Sequence, residues 1–241
     1  MTSRNARYRV VVLTGAGISA ESGVATFRDA GGLWEGHRVE DVATPAGFVR
    51  DPDTVQRFYD DRRAAIAVVQ PNVAHRALAR LEDALGDDLL LVTQNIDDLH
   101  ERGGSRAVIH MHGRIGIALC RSCGKRSAAP TMLLDRPPCP YCSGRTLRPD
   151  VVWFGEVPHD LDLIGRALAE CDLFVAVGTL GAVYPAAGFV ASALDAGART
   201  LELNLTVSEV SSIFDEVRMG RASELVPAWV DELLAELRRT A

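Results

Sequence analysis

The sequence has little positive charge and almost no lysine. Its 26 lysine and arginine residues are outnumbered by 32 aspartate and glutamate residues, and Lys125 is the only lysine. A domain that binds nucleic-acid phosphates is normally basic, with a pI above about 9, whereas the net charge here is −6. We therefore expect no nucleic-acid partner.

No secretory signal and no uninterrupted membrane span are visible in the sequence. Its first residues lead straight into the strand-like segment VVVLTG, without an apolar h-region and a cleavage site, which predicts a cytoplasmic protein. The stretch from Leu173 to Leu194 carries no charge and is long enough to cross a membrane. Because glycines and Pro185 interrupt it, we predict a buried strand, then a helix that begins at Pro185, and no membrane association.

No internal repeat or low-complexity tract is present. The 241 residues, 47% apolar and 24% charged, are typical of one large or two small globular domains. A chain of this length buries enough surface to fold without disulfides or oligomerisation. The sequence leaves the oligomeric state open and is compatible with a monomer.

Short apolar runs alternate with amphipathic segments along the chain. The runs predict strands at residues 9–14, 89–93, 108–111, 173–177 and 200–204, and apolar spacing predicts helices at 72–85 and 226–237. This alternation is typical of an α/β protein with a mostly parallel sheet covered by helices. Residues 30–69, which have helical character, and 114–149, rich in Cys, Pro, Gly and Arg, look like insertions that form a smaller lobe.

A glycine-rich segment follows the first predicted strand. Residues 15–20, GAGISA, match the G-x-G-x-x-G/A pattern in which glycines let the backbone approach a pyrophosphate. A dehydrogenase would place a second strand with an acidic end about 20 residues later. Residues 27–34 instead form a polar loop with glycines, which we interpret as a cover over a bound dinucleotide; a plain surface loop is the alternative.

Four of the five cysteines form a regular pattern. Cys120 and Cys123 are followed, after fifteen residues, by Cys139 and Cys142, the spacing of a structural four-cysteine zinc site. Four thiolates leave no open position for water, so one Zn²⁺ would hold the segment together and stay out of the chemistry. Disulfides are the alternative, but the reducing cytoplasm disfavours them. We expect Cys171 to be a small buried apolar residue.

Polar residues follow two neighbouring predicted strands. Asn95 and Asp97 come after the 89–93 strand, and His110 and His112 lie at the end of the next one. Ligands of open parallel sheets bind beyond the carboxyl ends of the strands. Asn95 and Asp97 are therefore candidates to bind a ribose or a carboxamide, and one histidine to enter the cleft. Taken alone, either histidine is more often a hydrogen-bonded structural residue.

Several motifs occur in one order along nearly the whole chain: GAGISAESG (15–23), TFRD (26–29), TQNIDDLH (93–100), HG (112–113), the four cysteines, VVWFGE (151–156) and VGT (177–179). Together they resemble the sirtuin family of NAD-dependent protein lysine deacylases. The resemblance implies one bilobal domain over residues 1–241. Its Rossmann-type large lobe would comprise residues 1–29, 86–113 and 150–241. Its small lobe would combine a helical module (30–85) with a zinc ribbon (114–149), and the cleft between the lobes would hold NAD and an acylated lysine.

The resemblance also implies how NAD is used. The acyl-lysine carbonyl oxygen would attack the ribose carbon as nicotinamide leaves, giving an O-acyl-ADP-ribose. His112 would be the general base, since a histidine pKa of about 6.5 suits proton transfer near neutral pH, and Asn95 a second catalytic residue. The residues implied to contact NAD are Gly15, Ala16, Gly17, Ile18, Ser19, Phe27, Arg28, Gln94, Asn95, Ile96, Asp97, Gly178, Thr179, Leu180, Asn204, Leu205 and Ala222.

Tyr59 and Arg62 form a Tyr-x-x-Arg that resembles the signature of sirtuins that remove succinyl and malonyl groups. Three residues apart, they share a helix face, and a guanidinium matches a carboxylate in charge and geometry. Pairing of Arg62 with a nearby carboxylate on a solvated helix is the alternative.

The segment 151–155 resembles the strand that pairs with an extended acyl-lysine peptide, which implies substrate contacts at Val152, Phe154 and Gly155.

The sequence departs from the family at two positions. Family members commonly carry serine where Leu180 stands and an acidic residue where Thr206 stands. Side-chain contacts to adenosine would change there while backbone contacts survive, so we expect NAD affinity to be altered and not abolished.

Two other functions remain open. The chain could be a sirtuin-like protein ADP-ribosyltransferase, or a zinc-ribbon module that binds NAD without turnover. Asn95, Asp97 and His112 count against the module. The Tyr59/Arg62 pair counts against the transferase, which has no evident use for it.

Overall fold

The computed structural model describes residues 8–26, 33–34 and 36–240, which form three β-sheets and the helices around them. The strands are β1 (Val10–Thr14), β2 (Leu33–Trp34), β3 (His37–Arg38), β4 (Leu89–Thr93), β5 (Val108–His110), β6 (Gly113–Cys120), β7 (Arg126–Ala128), β8 (Leu147–Val151), β9 (Leu173–Val177), β10 (Arg199–Asn204) and β11 (Glu216–Met219). The α-helices are α1 (Gly17–Ala20), α2 (Val39–Val42), α3 (Pro45–Arg50), α4 (Pro52–Val68), α5 (Val73–Leu85), α6 (Leu99–Gly103), α7 (Leu161–Leu168), α8 (Phe189–Asp195) and α9 (Ala222–Thr240).

The principal sheet has six parallel strands in the order β11-β10-β9-β1-β4-β5. Successive residues of a strand point to opposite faces. Val10 and Val12 of β1 pack into a cluster with α5 and α9, and Val11 and Leu13 pack into a second cluster with α7 and α8. Both faces of the sheet are therefore buried, which explains why its strands are continuous apolar runs.

The predicted α/β class with a mostly parallel sheet is confirmed, and each predicted strand and helix is present. β11 was not predicted, because this half-exposed edge strand, EVRM, contains no apolar run. The helix predicted from Pro185 begins as a 3-10 turn over Ala186–Gly188 and continues as α8. In the described ranges, 8–26, 33–34 and 36–240, no helix is long and apolar enough to cross a membrane.

A three-stranded antiparallel sheet, β7-β6-β8, carries the cysteine-containing segment. It begins directly after His112, where Gly113 has a φ of +80°. A Cβ at Gly113 would lie 2.0 Å from the Asp150 carbonyl oxygen of β8. Glycine is therefore required for β6 to start against β8 immediately after the candidate base.

Helices α2, α3 and α4 fill the segment between the short β2-β3 hairpin and α5. The longest of them, α4, begins at Pro52, where the Asp51 carboxylate accepts a hydrogen bond from the Thr54 amide at 3.0 Å. Its inner face packs in an apolar cluster with Trp34 and Trp153. This cluster brings α4 next to the segment that follows β8. The division of the chain into a large and a small lobe stays a prediction.

Candidate active site

A cavity of about 420 Å³ lies at the carboxyl ends of β1, β4, β9 and β10, with further walls from α4 and the segment after β8. Open parallel sheets bind ligands at this edge, and the volume is that of a small-molecule site. The predicted site residues that line it are Gly15, Ala16, Gly17, Tyr59, Arg62, Gln94, Asn95, Ile96, Asp97, His112, Val152, Phe154, Gly155, Gly178, Thr179, Leu180, Asn204, Leu205 and Ala222.

Four predicted NAD contacts are not among the described residues that line this cavity. Phe27 and Arg28 lie outside the described residues, as does most of the loop at 27–34. Ile18 is fully buried in the apolar cluster of α5 and α9. Ser19 is also buried, and the cavity-lining residues include neither of the two.

The glycine-rich turn after β1 packs against the turn after β9. The amides of Gly15 and Gly17 donate to the carbonyls of Val177 and Gly178, each at 2.9 Å. A Cβ at Gly15 would lie 2.7 Å from the Gly178 oxygen, and one at Gly17 would lie 2.7 Å from the Gly178 Cα. This backbone contact explains the glycines and presents their turn to the cavity.

His112 projects into the cavity from the turn between β5 and β6. Its Nδ1 lies 3.1 Å from the Gln94 carbonyl oxygen. Because a carbonyl only accepts, Nδ1 carries the proton and Nε2 keeps its lone pair. Burial lowers the pKa of His112 below the ordinary 6.5; the Gln94 carbonyl opposes the drop and nearby His159 adds to it. At neutral pH the imidazole is therefore an uncharged base.

His110 has a different environment, although it is only two residues away. Its Nδ1 lies 3.1 Å from the Asn95 carbonyl oxygen and its Nε2 lies 2.9 Å from the Glu101 carboxylate. Arg114 approaches the same carboxylate at 3.3 Å. β5 ends at His110 and the chain turns at residue 111, and the described residues that line the cavity include His112 but not His110. This geometry supports a structural role for His110.

Asn95 and Asp97 share a buried hydrogen-bond network with Ser19. The Asn95 amide nitrogen donates to the Gly15 carbonyl at 3.1 Å and to the Ser19 hydroxyl at 3.2 Å. Ser19 in turn donates to the Asp97 carboxylate at 3.1 Å. Burial raises the pKa of Asp97 above its usual 3.8, and hydrogen bonds from the Leu99 amide and Ser19 oppose the rise. The network ties the β4 loop to the glycine turn.

The turns after β9 and β10 are joined by one side chain. The Asn204 amide nitrogen donates to the Thr179 carbonyl at 2.7 Å and to the buried Glu202 carboxylate at 3.1 Å. Asn204 thus holds the two turns in place at this end of the cavity. Leu180 and Thr206, the two departures from the family, line the same cavity.

Tyr59 and Arg62 line the cavity from one face of α4. The Tyr59 hydroxyl accepts a hydrogen bond from the Trp153 indole at 3.0 Å, and burial raises the pKa of the phenol, which stays neutral. The Arg62 guanidinium donates to the Ala25 carbonyl at 3.2 Å and lies 4.6 Å from the centroid of the Trp34 ring. Arg62 is only 7% exposed, so it does not lie on a solvated helix face, whereas the alternative that it pairs with a nearby carboxylate stays open.

The segment after β8 leaves the sheet earlier than the resemblance implied. Val151 is the last strand residue, and the amides of Val152 and Phe154 donate to the carbonyls of His112 and Ala43, each at 2.9 Å. The Phe154 side chain is 44% exposed at the cavity. The amides of Val152 and Phe154 are therefore already used within the protein.

The four predicted metal ligands converge. The sulfurs of Cys120 and Cys142 are 3.7 Å apart, those of Cys123 and Cys139 are 3.8 Å apart, and all four lie within 4.8 Å of one another. A tetrahedron with Zn–S bonds of about 2.3 Å has edges of about 3.8 Å, so the donor set fits one structural Zn²⁺. The separations exceed the S–S bond of about 2.05 Å, which contradicts the disulfide alternative.

Sequence reasoning missed part of the cavity wall. Trp153 and Glu156 line the cavity, but no ligand contact was predicted for them. Their place in the VVWFGE motif could have marked them as candidates. Trp34, Val183 and Tyr184 also line the cavity, and no sequence pattern marked them. The sequence also did not indicate that the buried His75 Nε2 lies 3.4 Å from the Ser19 hydroxyl.

Comparisons with known proteins agree with this geometry. Residues 15–185 match the Sir2 family. The chain is similar to the NAD-dependent protein deacylase of Pasteurella multocida strain Pm70, with 54% identity over 229 residues that cover 94% of this chain and 98% of the relative.

Two solved structures share the fold over almost their full lengths. One is a Sir2 homolog in complex with NAD, 39% identical with a TM-score of 0.86, covering 95% of this chain and 90% of that one. The other is Sir2 in complex with the inhibitor EX-527, 2′-O-acetyl-ADP-ribose and a deacetylated p53 peptide. It is 28% identical with a TM-score of 0.78, covering 95% of this chain and 94% of that one.

Proposed function

The chain belongs to the Sir2 family and is an NAD-dependent protein deacylase, and we propose that His112 is its general base and that its acyl pocket takes succinyl and malonyl as well as acetyl groups. The observation that supports the first part is the neutral imidazole on the cavity wall, with Nδ1 on the Gln94 carbonyl. In this reaction NAD supplies a ribose carbon from which nicotinamide departs.

His112 would act after nicotinamide has left. Its Nε2 would accept the proton of a ribose hydroxyl as that oxygen becomes a nucleophile. Because Gln94 fixes the tautomer and burial keeps the ring uncharged, the base is ready at neutral pH. Asn95, which lines the same cavity, would be the second catalytic residue.

The cavity wall would orient both reactants. We propose that Gly15 to Gly17 and Gln94 to Asp97 contact NAD on the pyrophosphate, nicotinamide and ribose side. Gly178 to Leu180, Asn204, Leu205 and Ala222 would contact the adenosine. Ser19 would act through Asn95 and Asp97, since it is buried beneath them. Holding the reactants in line can lower the barrier by about 7–11 kcal/mol.

The acyl end of the cavity favours a negatively charged ligand. Arg62 is a buried guanidinium on the wall, and the neutral Tyr59 hydroxyl lies on the same helix face. A carboxylate can accept hydrogen bonds from both groups, and its charge is opposite to that of Arg62. A terminal succinyl or malonyl carboxylate supplies this match, whereas an acetyl methyl group does not.

Arg62→Met is expected to lower kcat/KM for a succinyl-lysine peptide roughly 10- to 100-fold, because a charge-assisted hydrogen bond is lost. Deacetylation should change less than about threefold. Steady-state kinetics on two peptides that differ only in the acyl group measure both effects. Arg57→Met, an exposed arginine of the same helix, is the matched control. Equal losses on both peptides would remove the acidic-acyl assignment.

NAD binding is expected despite Leu180 and Thr206. Isothermal titration of NAD into the protein should give measurable heat, since backbone groups at Gly178 and Thr179 remain on the wall. Leu180→Ser, which restores the commoner family residue, should tighten binding a few-fold by adding a hydrogen bond of about 1 kcal/mol. Absence of binding heat in the wild-type protein would contradict the proposal.

The partner is the acyl-lysine side chain of a protein, which we propose binds as an extended strand along Val152, Phe154 and Gly155. Because the amides of Val152 and Phe154 are already engaged, the pairing would fall mainly to the carbonyls of this segment. Such main-chain recognition demands little of the peptide sequence.

One experiment separates deacylation from the two alternatives. The protein is incubated with NAD and matched acetyl-, succinyl- and malonyl-lysine peptides, and both peptide and protein are weighed by mass spectrometry. A deacylase lowers the mass of the peptide by the mass of the acyl group that it removes. An ADP-ribosyltransferase adds mass to a protein, and a non-catalytic module changes neither.

A further inference from the structure

The Tyr59 hydroxyl receives its hydrogen bond from a donor that cannot accept one. The Trp153 indole Nε1 lies 3.0 Å from the Tyr59 oxygen, and both side chains are buried. An indole N–H only donates, so the phenol oxygen must act as the acceptor in this contact. Within the described part of the chain, the Tyr59 hydroxyl makes no other hydrogen bond.

The phenolic proton must therefore point away from the indole. Burial raises the pKa of Tyr59, so the proton is retained at neutral pH. Both rings line the same cavity. With one lone pair occupied by the indole, the O–H is left to donate elsewhere, and a ligand in the cavity could accept it.

The indole itself is held against rotation. The Arg148 guanidinium carbon lies 4.0 Å from the centroid of the indole ring, and Arg148 donates to both Glu156 oxygens at 2.9 and 3.0 Å. Glu156 also accepts from the Trp153 amide at 2.9 Å, and the Phe48 ring lies 5.1 Å from the indole. Turning the indole would break the stacking on Arg148 and displace its N–H from Tyr59.

We propose that Trp153 is a positioning residue that gives the pocket part of its preference for acidic acyl groups, by holding the Tyr59 hydroxyl as a donor. A carboxylate only accepts hydrogen bonds, so it gains from a hydroxyl oriented in this way. A methyl group gains nothing. The inference rests on the proposed acidic-acyl function, and it adds that Arg148 and Glu156 hold the orienting group.

The test is a double-mutant cycle with Trp153→Phe, Tyr59→Phe and the double variant. kcat and KM are measured on succinyl- and acetyl-lysine peptides of one sequence. Each single change should lower the succinyl-to-acetyl ratio of kcat/KM about tenfold, mainly by raising the KM for the succinyl peptide. The double variant should be no less selective than Tyr59→Phe alone, because Trp153 acts through that hydroxyl.

Trp229→Phe is the matched control, since Trp229 is buried in the cluster of α5 and α9, away from the cavity. It should leave the ratio unchanged. If Trp153→Phe does not fold, Arg148→Met provides the answer: it retains the indole but removes its support, and should lower the same ratio by a smaller factor.

Additive effects of Trp153→Phe and Tyr59→Phe, or equal losses on both peptides, would overturn the inference. Its failure is distinguishable from failure of the acidic-acyl proposal. If Arg62→Met lowers activity mainly on the succinyl peptide and Trp153→Phe lowers both activities equally, only the role of Trp153 is refuted. If Arg62→Met also lowers both activities equally, the acidic-acyl proposal itself fails.

Discussion

Replacing His112 by alanine is expected to lower the rate of deacylation about 100- to 10,000-fold, the range for loss of a general base. Exchange of labelled nicotinamide into NAD should persist at a measurable rate, because the proposed proton transfer follows nicotinamide departure. Comparing product formation with exchange in the same preparation tests this order. His37→Ala, a change at an exposed histidine that does not line the cavity, should preserve both rates.

The pH dependence provides a second measurement on the same residue. The base must be uncharged, so kcat/KM falls on the acid side as His112 becomes protonated. Because burial lowers its pKa, that fall should lie below pH 6.5, the ordinary histidine value. The pH profile of the residual activity of His112→Ala should lack this fall on the acid side, here called the acid limb. An unchanged limb, or loss of exchange together with deacylation, would argue that His112 is structural.

Removal of the zinc is expected to abolish deacetylation and desuccinylation together and to lower the thermal midpoint by roughly 10 °C or more. The cysteine-containing segment is attached to the back of α4, the helix that carries Tyr59 and Arg62. The Asp60 carboxylate accepts from the amides of Leu133 and Leu134 at 3.0 and 2.9 Å. On the same face, Gln56 donates to the Leu147 carbonyl at 2.8 Å.

Cys142→Ser and Cys171→Ser form the matched pair for this test. Only the first changes a sulfur of the four-cysteine cluster, whereas Cys171 is packed among apolar residues of α7 and β9. Metal content, calorimetric midpoint and the two activities are measured for both variants. We expect the first variant to lose zinc, stability and activity in parallel. Full activity after complete loss of zinc would show that α4 does not depend on the metal.

The sequence predicted the elements whose signals are local. Strands such as β1 and β9 are buried on both faces, so they appear as continuous apolar runs. The cysteine spacing indicated zinc because two pairs of thiolates suffice to specify a tetrahedron. The glycines at 15 and 17 were conspicuous because backbone contact excludes side chains there.

What the sequence could not provide depends on contacts between distant segments. Ser19 is buried against side chains from distant segments, His75, Asn95 and Asp97, so a motif alone could not distinguish it from its neighbour Ala20, which lines the cavity. The indole of Trp153 meets Tyr59 across 94 residues of sequence. The edge strand β11 has too little buried surface to leave an apolar pattern.

The contact of Gly15 and Gly17 with Gly178 has a consequence for affinity. The backbone of each turn occupies the space that a side chain on the other would need, and two backbone hydrogen bonds join the turns, so the two support each other. The surface offered to a dinucleotide is therefore already shaped in the absence of ligand. The protein then loses less conformational entropy when NAD binds, so the same direct contacts give a higher affinity.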